Sequence, residues 1–198
     1  MTSHQASYPV SIRGELTEPP GRGWWLLKWL LIIPHAIVLF FLEIAFSFVA
    51  IFAFFAILIT AKYPRGLFDF NTGVLRWAWR VNFYSYGVLG TDRYPQFSLD
   101  PDPDYPADLD IPYPERLSRG LVLIKWWLLA IPHYIIASLW SYVIPVLVLI
   151  AGVILLFTGK YNEDLFKIIM GMNRWVLRVQ AYASLMRDEY PPFRLYEE

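Results

Sequence analysis

Two long stretches almost free of charge constrain this chain more than any other feature. Between Lys28 and Lys62 the only formal charge is Glu43, and between Lys125 and Lys160 there is none. Each stretch far exceeds the roughly 18 apolar residues that mark a candidate membrane span. Acidic residues and prolines precede the first stretch, where a signal peptide would carry basic residues, so we do not assign it as a signal peptide. We therefore predict an all-α integral membrane protein.

Composition supports this class and excludes several others. Hydrophobic residues make up 57% of the 198 positions, aromatic residues 18% and charged residues only 17%, whereas soluble domains carry about 25% charge. The chain has no cysteine, and 17 basic residues balance 17 acidic ones. Disordered chains, disulfide-built secreted folds and basic nucleic-acid binders are poor matches. We predict membrane lipids as partners and no nucleic acid.

The number of membrane crossings follows from length. About 34 residues of helix would run roughly 50 Å at 1.5 Å per residue, against a hydrocarbon core of about 30 Å. We therefore favour a transmembrane helical hairpin in each stretch, with tips near residues 42–44 and 141–142, giving four spans. Pro145 would then begin a new helix. A kinked single span per stretch, or a hairpin that dips in without crossing, is the alternative.

The chain is a tandem repeat. Residues 8–12 match residues 105–109, and the Ile-Pro-His motif ending at His35 recurs at His133. So many matches in one order indicate duplication. We place the first unit at residues 1–99 and the second at 105–198. The further matches are Lys28-Trp29 with Lys125-Trp126, Lys62-Tyr63 with Lys160-Tyr161, Arg76-Trp77 with Arg174-Trp175, and residues 94–97 with residues 190–193.

An acidic, proline-rich connector, residues 100–115, lies between the units, and its composition predicts an extended, solvated segment. Alternating apolar residues near positions 10–12 and 109–111 allow short strands. We expect such strands to pair with residues 97–99 and 193–195 in a small layer outside the membrane.

Even numbers of crossings keep both units the same way up. All the basic residues flank the apolar stretches in equivalent places, so hairpins would put every one of them on one face, as the positive-inside rule requires. We predict a multi-pass membrane protein, with its termini and basic flanks in the cytoplasm.

An aromatic, basic segment follows each apolar stretch, at residues 67–88 and 165–186. Arg76 and Arg80 lie one helical turn apart, as do Arg174 and Arg178. The pattern predicts an interfacial amphipathic helix in each unit. Anchoring is the simpler interpretation. The sharper one makes these four arginines a site for anionic lipid headgroups.

Two further residue types are candidates for chemistry. His35 and His133 occupy equivalent positions, and paired histidines on membrane helices can ligate haem. A hydrogen bond to a carbonyl freed by the preceding proline is the simpler interpretation of each. Glu43 would lie in water at a hairpin tip, whereas a single span would put it near mid-membrane, where acids are functional candidates.

Three pairs of motifs recur in order along the chain: KWLLIIPH and KWWLLAIPH, then TAKYPRGLFDFNTGVLRWAWRV and TGKYNEDLFKIIMGMNRWVLRV, then YPQF and YPPF. Taken together, these motifs resemble an uncharacterised bacterial membrane family, the domain of unknown function numbered 4389. The resemblance covers nearly the whole chain as two copies. It implies a bacterial membrane protein, which we expect in the inner membrane, and it supplies no catalytic residues.

The sequence contains no Walker loop, GxGxxG after a strand, HExxH, GxSxG or cysteine cluster. We therefore expect a non-enzymatic protein without a cofactor or metal, acting as a scaffold or as an accessory subunit of a membrane assembly. Its partners would be other membrane subunits or a second copy of itself. An anionic-lipid-binding module is the first alternative, and haem-type binding through the paired histidines is the second.

Overall fold

The computed structural model describes residues 8–195, and this part of the chain is mostly helical. Each unit has the same order of elements: a strand, a short helical segment, a long apolar helix and a second long helix. The first unit contains β1 (Ser11–Gly14), a 3₁₀ turn (Trp24–Leu26), α1 (Lys28–Leu31), α2 (Ile33–Thr60) and α3 (Arg65–Tyr84). The second contains β2 (Ala107–Asp110), α4 (Arg119–Ile124), a π-helical turn (Lys125–Leu129), α5 (Ile131–Thr158) and α6 (Glu163–Ala183).

Each apolar stretch forms one continuous helix of 28 residues. A proline in the first turn of α2 and of α5 favours the helix start, since its missing N–H needs no partner there. Left-handed residues end both helices, at Ala61 with φ 58° and at Gly159 with φ 71°. An 18-residue segment of each helix has a mean hydropathy of 2.6, and both helices are long and apolar enough to cross a membrane.

The predicted hairpins are therefore wrong. Neither Glu43 nor Ser141 breaks a helix, because an isolated polar residue leaves the backbone hydrogen bonds intact. Pro145 lies inside α5 rather than at the start of a new helix. The two-span alternative has the right number of long helices.

The short strands are confirmed, but their predicted pairing is wrong. β1 and β2 pair with each other, antiparallel, with Ser11 opposite Asp110 and Gly14 opposite Ala107. β2 lies within the predicted connector, so that segment is part of the fold. Residues 97–99 instead pass over α3, where the Leu99 backbone comes close to Gly73.

The second helix of each unit is buried in the protein rather than laid on its surface. α3 packs against α2 of its own unit and against β2 of the other, and α6 likewise contacts α5 and β1. Trp79 of α3 is 1% exposed, and its indole N–H donates to the Arg13 carbonyl at 2.8 Å. The interfacial placement predicted for these helices is therefore corrected. Their polar stripe faces protein backbone, which satisfies polar side chains as water does.

The close crossing at Gly73 gives a first test of the packing. A methyl group there would lie 2.8 Å from the Cβ of Leu99, whereas Gly66, in the same helix, has nothing within 4 Å of its Cβ position. We expect Gly73→Ala to lower the free energy of unfolding by about 1–3 kcal/mol through overpacking. Gly66→Ala should raise it by at most about 1 kcal/mol, because alanine is the better helix former. Thermal unfolding followed by circular dichroism in mild detergent measures both, and equal effects would contradict this packing.

Candidate functional site

One arginine in each unit binds the backbone of the other unit's strand. Arg76 Nε donates to the Leu109 carbonyl of β2 at 2.8 Å, and Arg174 Nε donates to the Ile12 carbonyl of β1 at 3.2 Å. Leu109 and Ile12 are equivalent positions of the repeat. Arg76 also lies 3.3 Å from a carboxylate oxygen of Asp108. These two headgroup candidates hold the two units together.

The other two arginine candidates are buried more deeply. Arg80 is fully buried, and its Nη2 donates to the carbonyls of Ser98 at 2.5 Å and Asp100 at 3.0 Å. Arg178 is 2% exposed, with its guanidinium 5.5 Å from the Tyr8 ring centre. Headgroup binding by the four arginines stays a prediction, but the geometry assigns them contacts inside the fold.

Each histidine lies in an aromatic cage built from the repeated motifs of its own unit. His35 is fully buried, stacks on Phe97 at 3.9 Å between ring centres, and accepts a hydrogen bond at Nδ1 from Trp77 Nε1 at 3.1 Å. The Tyr94 ring lies 4.9 Å away. The Ile-Pro-His, Arg-Trp and Tyr-Pro-x-Phe motifs therefore meet at one place.

The second cage repeats the first. His133 is fully buried and stacks on Phe193 at 4.5 Å, with Tyr190 at 4.6 Å and Trp175 at 5.1 Å. Neither of its ring nitrogens has a hydrogen-bond partner among residues 8–195.

The ring contacts do not bring the two histidines into one site. Each imidazole is surrounded by aromatic rings of its own unit, and no cluster of three or more His, Cys, Asp or Glu side chains occurs in the described part of the chain. Haem-type ligation by His35 and His133 stays a prediction.

A buried lysine lies beside the first cage. Lys28 is 1% exposed; its Nζ donates to the Thr91 carbonyl at 2.7 Å and lies 2.9 Å from Asp92 Oδ1. The same ammonium lies 4.6 Å from the ring centre of Tyr84, and the second oxygen of Asp92 accepts from the Gly21 N–H at 2.5 Å. Lys28 and Asp92 therefore link the segment before the 3₁₀ turn to the segment after α3.

The second unit repeats this arrangement. Lys125 is fully buried, with its Nζ 2.6 Å from Asp188 Oδ1 and 2.9 Å from the Arg187 carbonyl. The other oxygen of Asp188 accepts from the Ser118 N–H at 2.6 Å. Burial lowers the pKa of Lys28 and of Lys125, and the adjacent carboxylates partly oppose that shift. Because each ammonium already has a carbonyl and a carboxylate partner, both lysines are structural.

Sequence reasoning missed these lysine–aspartate pairs. The partners lie more than 60 positions apart, so no local spacing joins them. The repeat did contain a signal: Lys28 and Lys125 are equivalent, and Asp92 and Asp188 each precede a Tyr-Pro-x-Phe motif by two positions. A basic and an acidic residue that recur together in both copies are good candidates for a buried pair.

Glu43 lies in the eleventh position of α2, and its side chain is half-buried. At 100° per residue it lies roughly 140° around the helix from Phe48, at the centre of the exposed stripe. The carboxylate is therefore on the side of α2 away from that stripe, at the edge of the side that contacts protein.

An apolar surface occurs at equivalent positions of both units. Nine exposed hydrophobic side chains of α2 recur 98 positions later as exposed hydrophobic side chains of α5. We call this set the apolar face. It consists of Ile33, Ile37, Phe41, Ile44, Phe48, Ile51, Phe52, Phe55 and Ile59 in α2, and Ile131, Ile135, Leu139, Tyr142, Val146, Leu149, Ile150, Val153 and Phe157 in α5.

Exposed tryptophans extend the apolar face at the start of each long helix. Trp24 and Trp29 in the first unit, and Trp126 and Trp127 in the second, are each about half exposed. Among the described residues, the large exposed hydrophobic side chains outside residues 24–59 and 123–157 belong to the two Tyr-Pro-x-Phe motifs. A continuous apolar surface of this size marks a contact with lipid or with another protein.

Comparison with known families places the duplication in context. The model of the Domain of unknown function (DUF4389) matches residues 23–98 and again residues 122–194. The chain belongs to the DUF4389 family. It carries two tandem copies of that domain, and each copy holds one long apolar helix, one aromatic cage and one buried lysine. No curated protein and no solved structure matches the chain.

The buried pairs predict a pH-dependent effect of substitution. In Asp92→Asn, Lys28 loses its counter-charge, so we expect a loss of about 3 kcal/mol in the free energy of unfolding at pH 7. Because the pKa of Lys28 is lower in the folded chain than its ordinary value of 10.5, the unfolded chain binds more protons than the folded chain between these two pKa values. The free energy of unfolding therefore rises with pH between them. Removing Asp92 lowers the pKa of Lys28 further, and the deficit relative to wild type should shrink as the pH rises towards 10.

The matched control is Asp69→Asn, which breaks the exposed pair with Arg65 and should cost less than about 1 kcal/mol. Urea titrations at several pH values measure these differences. A deficit in Asp92→Asn that does not change with pH would contradict a charged, buried Lys28.

Proposed function

We propose that this DUF4389 protein is a non-enzymatic protein of the bacterial inner membrane, acting as a scaffold or accessory subunit of a membrane assembly. The apolar face supports this proposal most strongly. It occurs in both units at equivalent positions, and exposing so much apolar surface to water would be unfavourable. Membrane lipid covers the face, and further membrane subunits or a second copy are the expected protein partners.

The use of the polar side chains also supports a non-enzymatic role. Arg76, Arg80 and Lys28 donate to backbone carbonyls, and His35 accepts from an indole N–H. Groups held in this way stabilise a fold. Headgroup binding by the arginines would require these contacts to break, so the geometry favours the scaffold role over the lipid-handling one.

Membrane fractionation tests the first part of the proposal. We expect the full-length chain to stay in the membrane pellet through neutral high-salt and urea washes and to be released by dodecyl maltoside. Phe48→Lys combined with Val146→Lys places a charge at equivalent positions of the apolar face in both units, and this variant should move to the soluble fraction. Lys62→Glu, outside the face, is the control and should stay in the pellet. A wild-type chain released by salt alone would refute membrane integration.

The assembly role has its own test. In mild detergent at neutral pH, native electrophoresis and light scattering should find the chain in a particle larger than one copy. Recovery only as a lone monomer, without a co-purifying subunit, would count against the scaffold role and leave membrane integration standing.

A further inference from the structure

We infer that the chain does not cross the bilayer. α2 and α5 lie in the plane of the membrane with the apolar face inserted into one leaflet. The other elements of the described chain, which we call the body, lie in water. This inference rests on the proposed membrane integration and specifies its geometry. The occupant of the apolar face is the outer part of the acyl chains of a phospholipid leaflet.

The first observation is where the body contacts each long helix. Buried residues of α2 run from His35 in its first turn, through Phe46 and Ala53, to Ile57 in its last. The body therefore lies along the whole length of the helix, opposite the apolar face, and not at its ends. α5 has the same distribution, from His133 to Leu155.

The second observation is what lies beside the middle of α2. The Asn71 amide of α3 contacts the Phe46 carbonyl at 3.5 Å, halfway along α2. Thr72, the next residue of α3, lines a groove of about 480 Å³, and at 100° per residue it lies on a different side of α3 from Asn71. The charged side chains of that groove include Arg65, Asp69, Arg76, Asp100 and Asp110.

These charges are incompatible with a helix that stands across the bilayer. Arg65 is 66% exposed, Asp69 is 54% exposed and Asp110 is 64% exposed. If α2 stood across the bilayer, this side of the body would lie at membrane depth, facing lipid. Exposed ionised groups are excluded from hydrocarbon because nothing there replaces their hydration. With α2 in the plane, the same groove faces water.

The third observation is that the two long helices contribute to one layer. A Cβ at Gly152 of α5 would lie 3.2 Å from the ring of Trp25, which precedes α2. The long helix of the first unit has a similar neighbour from the second unit. Ile51 and Phe54 of α2 line a cavity of about 280 Å³ together with Trp126, which precedes α5. Each unit's entry segment thus packs beside the other unit's long helix, and we take both halves of the apolar face to enter the same leaflet.

Length, aromatic residues and charge agree with this orientation. A helix of 28 residues is about 42 Å long, which exceeds a hydrocarbon core of about 30 Å. The thickness of the bilayer does not limit the length of a helix that lies in the membrane plane. The exposed tryptophans belong to the residue type that collects at the interface. Glu43, on the side of α2 away from the apolar face, would lie outside the hydrocarbon, whereas a spanning helix would hold it at membrane depth.

Depth measurements along α2 distinguish the two orientations. The chain has no native cysteine, so single cysteines at Ile37, Phe48 and Ile59 can each carry a nitroxide in full-length protein, reconstituted in phosphatidylethanolamine–phosphatidylglycerol vesicles. Collision with oxygen and with a water-soluble nickel chelate gives the depth of each label. We expect one common, shallow depth, about 5–10 Å below the headgroup boundary. Ile135, Val146 and Phe157, the equivalent positions of α5, should give the same value, and Lys62→Cys is the control in water.

A profile that is deep at Phe48 and shallow at Ile37 and Ile59 would overturn the in-plane orientation and leave membrane integration intact. Labels that the nickel chelate reaches at all three positions as readily as it reaches the Lys62→Cys control would refute membrane integration itself. In addition, Glu18→Cys and Lys62→Cys, exposed before and after α2, should react with an impermeant maleimide from the same side of the membrane. Reaction from opposite sides would overturn the inference.

Discussion

The fold depends on the exchange of strands between two duplicated units. β2 begins the second unit but packs on α3 of the first, and Arg76 and Arg174 each donate to a strand carbonyl of the other unit. A buried guanidinium or carbonyl left without its partner costs free energy, so neither unit is complete alone. This requirement puts the polar helices inside, and it leaves α2 and α5 outside with one side buried and the other exposed.

The sequence predicted the duplication and the two short strands, because repeated motifs and two-residue alternation can be recognised without knowing any contact in the fold. It did not predict the strand pairing, since alternation indicates a strand without indicating its neighbour. Residues 97–99 carry a similar pattern, and contacts over long sequence distances decide the outcome: Leu99 crosses α3 at Gly73. The pairing of Lys28 with Asp92 is missed for the same reason, because the two residues lie 64 positions apart.

The hairpin prediction failed for a different reason. The hairpins were inferred because one helix as long as each apolar stretch would be longer than the hydrocarbon core is thick. That inference assumes that an apolar helix stands across the membrane. Nothing in the sequence near Glu43 or Ser141 breaks a helix, and the hydropathy of a stretch does not report the angle between its axis and the membrane. The orientation depends on which side of α2 the body covers, and that follows from the positions of His35 and Ile57 on one buried face.

A sequence pattern also failed to identify the neighbours of α3 and α6, the helices that carry the arginines and that were predicted at the membrane interface. An amphipathic helix needs one polar and one apolar neighbour, and the pattern does not say whether the polar neighbour is water, headgroups or backbone carbonyls. Arg80 meets carbonyls. α2 and α5, by contrast, are apolar on nearly every side and require no polar neighbour, so they are the helices suited to lipid. In this fold the amphipathic helices form the interior and the uniformly apolar helices form the surface, which is the reverse of a soluble domain. As a consequence, the charged body and the uncharged helices form separate layers.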